Sequence, residues 1–156
     1  MQFNTPAYEQ VFSHVIKPVC EDREVGLLPY RADFTHMPGS VIDDIQRQIQ
    51  ESYVVIAEIT PINASVFYEV GYADALQKPV VLIADQSVKQ LPFDVRMSRT
   101  IFYENKIGGK ELLQQTLKKF LKNIIASKNL TPFQNLELPL NMEVNQKPWF
   151  TILTRP

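Results

Sequence analysis

Apolar residues in this chain fall into runs of two kinds, and their order outlines a fold. Between residues 5 and 23 they recur at helical spacing, with Tyr8, Val11, Phe12, Val15, Ile16 and Val19 forming one stripe. Thr5 suits an N-cap, Pro6 the first helical position, and Glu9 falls near a capping-box position. Pro18 is expected to kink or end this helix, because proline lacks an N–H and its ring meets the preceding turn. Residues 25–30 read as a short strand, and residues 31–39 as a polar loop. Ser40 then caps a second helix with Val41, Ile42, Ile45 and Ile49 on one face.

The chain is organised around residues 56–83. A near-continuous apolar run begins at Tyr53 and ends in Ala57, Glu58, Ile59 and Thr60. A turn at residues 61–63 leads into a helical pattern over 65–77, and a second apolar run covers 79–84. Two short apolar runs joined by one helix make a βαβ crossover, and unbroken rather than alternating apolarity marks strands covered on both faces. Beyond a loop at 85–98, residues 100–103 read as a strand and 110–127 as a last helix. That helix buries Leu112, Leu113, Leu117, Phe120, Leu121, Ile124 and Ile125 and carries Lys118, Lys119 and Lys122 on its solvated side.

This order predicts an α/β fold: a doubly wound, mostly parallel, flavodoxin-like (Rossmann-like) sheet lacking its usual first strand. That strand is central in flavodoxin-like order, whereas this chain opens on a helix. Either the chain is a fragment or has a misassigned start, or another segment fills the gap. The tail offers one candidate, Trp149–Leu153, reached through a Pro- and Asn-rich connection and destined for the vacant slot or for an edge. The expected organisation is therefore a domain over 1–128 and an extension over 129–156 that carries this strand.

Composition narrows the function classes. Sixteen basic and seventeen acidic side chains leave a formal net charge of −1, which gives no support to nucleic-acid binding driven by counterion release. The single Cys20 cannot form an internal disulfide and no Cys/His cluster suggests zinc, so the expectation is a reducing cytoplasm and no metal. No apolar run reaches membrane-spanning length. Neither GxGxxG nor a P-loop is present, and His14 and His36 show no pattern of a catalytic pair.

One residue stands out. Glu69 shares a helix face with Val66 and Ala73, the face that looks toward the sheet, where a carboxylate is costly without a task or a partner. The competing reading is an exposed helix residue paired with a lysine.

Asn63, Val66, Tyr68, Glu69, Gly71, Ala73, Ala75, Lys78 and Pro79 fit the pattern N-x-N-V-x-Y-E-x-G-x-A-x-A-x-x-K-P. This resembles the signature of bacterial proteins related to the nucleoside 2-deoxyribosyltransferases and to TIR domains. The IKPV of the first helix, Arg31-Ala32-Asp33, Pro92-Phe93-Asp94, and Arg99 with Tyr103 agree in order and spacing. The resemblance covers about residues 1–125. It departs at Glu58, where the family's strand ends in Ala-Asp, and at Ser65, where its motif has a second Asn.

The resemblance implies cleavage of an N-glycosidic bond in a nucleoside, a nucleotide or NAD, without a cofactor, with Glu69 as the functional carboxylate and Asn63 at a substrate-contacting position. It also implies a homo-oligomer or a larger assembly. Such a reaction passes through an oxocarbenium-like state, which a carboxylate beneath C1′ attacks or stabilises. Asn63 and Ser65 are placed either to contact sugar hydroxyls or to cap the helix. Glu58 and Asp94 are candidates to orient water or protonate the base, with Asp94 also read as a turn residue. Arg31 suits a phosphate and Asp33 a ribose diol, or the two form a loop ion pair. Tyr68 and Tyr72 either wall a base pocket or simply pack. The alternative class is a nucleotide-binding or protein-docking module that has kept the fold and lost turnover.

Overall fold

A computed structural model describes residues 6–31, 41–88, 100–106, 108–127 and 149–153. Helix α1 runs as Pro6–Val11, a π-helical stretch Phe12–Ile16, and Lys17–Glu21. It is followed by β1 (Leu28–Arg31), α2 (Val41–Glu51), β2 (Ser52–Glu58), α3 (Ala64–Ala75), β3 (Val80–Asp85), β4 (Thr100–Tyr103), α4 (Gly109–Ser127) and β5 (Trp149–Leu153).

The five strands form one sheet in the order β1-β5-β2-β3-β4, and every pairing is parallel. This is the flavodoxin-like arrangement, with the tail strand β5 in the central place that an N-terminal strand ordinarily takes. Thr151 is level with Tyr30 on one side and Val55 on the other, so β5 joins the β1 edge to the rest of the sheet. The slot, not an edge, receives the tail.

Side-chain alternation along the inner strands divides the core in two. Val54, Ile56, Val81 and Ile83 point to the face covered by α1 and α4, where Val15, Ile16, Leu113, Leu117 and Leu121 complete the packing. Val55, Ala57, Leu82 and Ala84 point to the other face, under α2 and α3, against Ile45, Ile49, Val66 and Ala73. The continuous apolar runs of β2 and β3 thus reflect burial on both faces.

Pro18 does not end α1, which continues to Glu21. The π-helical stretch accommodates it: the Lys17 N–H bonds back to the Phe12 carbonyl. The His14 carbonyl, four residues before Pro18 and deprived of its usual donor, accepts instead from Gln114 Nε2 of α4 at 2.5 Å. The strand expected over 25–30 starts later. Val25, Gly26 and Leu27 bond back to the end of α1, through the carbonyls of Asp22 and Cys20, and Gly26 takes a positive φ of 61°. Their apolarity serves the core, not a ladder.

On α4, Lys118 pairs with Asp22 at 2.9 Å and Glu24 at 2.6 Å, and Lys122 pairs with Glu24 at 3.0 Å. These lysines fasten α4 to the turn after α1.

Candidate functional site at the carboxyl ends of the strands

The parallel strands all end at one edge of the sheet; the chain steps one way from β1 through β2 and β3 to β4 and then returns to insert β5 between β1 and β2. Ligands of open α/β sheets bind in the crevice outside the carboxyl ends of the strands. Glu58 is the last residue of β2, Asp85 of β3 and Tyr103 of β4. The connection after β2 leads directly into α3.

Glu69 lies in the second turn of α3 and is 4% exposed, on the buried side with Val66 and Ala73. The residue spacing predicts this face, and the helix presents it to the sheet. Asn63 caps α3: its Oδ1 accepts the Ser65 N–H at 2.8 Å, and its carbonyl accepts from Phe67 at 3.2 Å. Ser65 itself is exposed. These contacts match the capping role weighed for Asn63.

Glu58 is also 4% exposed. Its neighbours Ala57 and Ile59 belong to the α2–α3 core, so by alternation Glu58 faces the α1–α4 side. The two buried carboxyl groups therefore lie on opposite faces of the sheet. Oε1 of Glu58 accepts the Thr60 N–H at 3.0 Å, and Oε2 takes no hydrogen bond among the described residues. Burial pushes the Glu58 pKa up to about 8, the Thr60 and Tyr103 hydroxyls oppose that rise, and the nearby Asp85 carboxylate adds to it. Asp85 moves the other way: hydrogen bonding from Ser87, whose N–H meets Oδ1 at 2.8 Å, holds it below its ordinary value. At neutral pH the edge thus carries a protonated Glu58 beside an ionised Asp85. Neighbouring carboxyl groups with separated acidities commonly occur where proton transfer is organised.

Arg31 ends β1 and is 7% exposed. Its Nη1 meets Oε1 of Glu9 at 2.8 Å, and its guanidinium stands 5.1 Å from the centre of the Phe12 ring. Helix α1 thus supplies both a carboxylate and an aromatic face to this arginine. Sequence reasoning missed Glu9 as its partner, having read Glu9 only as a capping residue. Asp33 and Asp94 lie outside the described residues.

Tyr68 is 59% exposed, and its hydroxyl accepts from Gln46 Nε2 at 3.1 Å, while Tyr72 accepts from Gln50 Nε2 at 2.6 Å. The two tyrosines lace α3 to α2 at successive turns. Lys78, though part of the motif, sits at the opposite edge of the sheet. Its Nζ donates to the carbonyls of Gln50 and Ser52 at 2.5 and 2.7 Å, closing the end of α2.

Among the described residues no group of three His, Cys, Asp or Glu is placed to hold a metal ion, and no helix is long and apolar enough to cross a membrane. Comparison with protein-family models finds no match, and a search of curated proteins finds none.

Proposed function

We propose that this chain cleaves the bond between base and sugar in a nucleoside, a nucleotide or NAD, with Glu69 as nucleophile or oxocarbenium stabiliser. One observation carries the reading: a carboxylate, 4% exposed, on the sheet-facing side of the helix that follows the strand beside the crevice. An ionised Glu69 beneath C1′ either donates an electron pair to form a glycosyl ester as the base departs with its bonding pair, neutral as it leaves NAD and taking a proton from solvent in the other substrates, or balances the charge electrostatically. Water or a second base then takes the sugar and frees the carboxylate. Proton delivery to the base is not assigned to Glu58, which faces the other side of the sheet.

The second reading is a nucleotide-binding or protein-docking module without turnover. The engagement of Tyr68 and Tyr72 with α2 favours it, because both side chains are tied to α2 through their hydroxyls.

Base release decides between them. The protein is incubated with NAD, nucleoside monophosphates and deoxynucleosides, and free base is separated by chromatography, beside Glu69→Gln. The expected outcome is free base from the wild type alone, with the variant within about 1 kcal/mol of wild-type stability. Release that survives in the variant overturns the role of Glu69. Absence of release from every substrate selects the module.

A further inference from the structure

We propose that Glu58 is a positioning residue: its carboxyl group sets the course of the chain between β2 and α3, and with it the seat of Glu69. The proposal rests on the reading of Glu69 above, but its mechanical part stands by itself.

Residues 59–63 separate β2 from α3, and hydrogen bonds hold both ends of this connection. At the start, the Ile59 N–H donates to the Ile83 carbonyl at 3.0 Å and the Thr60 N–H to Oε1 of Glu58 at 3.0 Å. Thr60 also bonds sideways, its Oγ1 accepting the Asp85 N–H at 2.7 Å. At the far end Asn63 caps the helix through Ser65. Thr60 is therefore shared between Glu58 of β2 and Asp85 of β3, three residues before the cap of the helix that carries Glu69.

This arrangement depends on the proton of Glu58. Protonated, the carboxyl group keeps Oε1 for Thr60 without bringing charge into the core. Ionised, it is an unsolvated anion near a second anion, Asp85, with Thr60 strapped to both residues. Among the described residues no lysine or arginine pairs with it. Glu9 and Arg31 pair with each other, Cys20 is buried and stays a thiol, and Tyr103 of β4 offers a hydroxyl only. The buried residues of α4 are Leu113, Leu117, Leu121 and Ile125. Loss of the proton strengthens the bonds from Thr60 to Glu58, which favour the anion, and sets the new charge against Asp85, so Thr60 and the connection behind it shift.

The test follows backbone amide chemical shifts of the full chain from pH 6 to 9.5, in the wild type and in Glu58→Gln. The expected result is one titration step centred near 8 at Thr60, Ser65 and Glu69 together, absent from the isosteric variant. A step confined to residues 58–60, or one that persists in Glu58→Gln, overturns the proposal. Should the variant fail to fold, the wild-type titration alone decides, by whether Ser65 and Glu69 follow Thr60. Base release measured over the same range separates the two readings. A turnover that falls with the same midpoint, at unchanged KM, supports positioning. No turnover with an intact step at all three amides removes catalysis by Glu69 and keeps the coupling.

Discussion

Glu58 and Asp85 end neighbouring strands, yet their surroundings drive their acidities in opposite directions. Glu58 has an ordinary pKa of 4.5 in the unfolded chain and about 8 in the fold. Between those values the folded state holds the extra proton, so stability falls as pH rises from about 4.5 and levels off above about 8. Glu58→Gln is neutral throughout and removes this slope. Urea unfolding from pH 4 to 9 should show the variant more stable than the wild type by on the order of 2 kcal/mol at pH 8, with the difference fading toward pH 4. Equal slopes in the two proteins would place the proton elsewhere. At this scale the chain was partly legible. The burial of Glu69 follows from its spacing to Val66 and Ala73, whereas the neighbours of Glu58 depend on which residues of β3 and β4 stand level with it. Nothing in the spacing along one strand encodes that register.

Among the elements, α3 shows where local chemistry speaks and where it is silent. Its start is legible, because Asn63 is a residue type that caps helices. Its end is not. The apolar pattern runs on to Gln77, but the helix stops at Ala75, where the Lys78 N–H reaches back to the Ala73 carbonyl and the Gln77 N–H to that of Asp74. This is a Schellman motif, and it places Gln77 at a positive φ of 55°, a position usually given to glycine. Gln77→Gly should therefore raise stability by about 0.5–1 kcal/mol, read as a higher melting temperature. A lower one would mean that the glutamine side chain does more than tolerate the turn. Helix α1 makes the complementary point. Read locally, Pro18 kinks or ends a helix; here a π-helical stretch precedes it and the helix continues to Glu21, with Gln114, far away in sequence, supplying the donor that the His14 carbonyl lost. Similarly, Val25 and Leu27 have the residue types of a strand and the core burial of one, but their amides close the end of α1.

At the scale of the molecule, the sheet depends on its last strand. Strand β5 pairs on both sides, and β1 has no other neighbour among the described strands. Removal of residues 145–156 should detach β1 from β2 and open both of the edges that β5 covers. The expected outcome is a melting temperature lower by more than about 10 °C, in keeping with the loss of several kcal/mol, with binding of a dye for exposed apolar surface. An unchanged melting temperature would show that β5 does not hold the sheet together.

The sequence by itself determined the number and kind of most elements, the parallel winding and the inward face of α3, because each rests on periodicity within a short stretch of chain. Only the tertiary structure decided that Trp149–Leu153 enters the centre of the sheet, that Arg31 joins Glu9, and that Glu58 and Glu69 stand on opposite faces. Those outcomes depend on pairings between residues distant in sequence. Several such pairings are compatible with the same local pattern, and they are chosen by the simultaneous packing of both faces of one sheet.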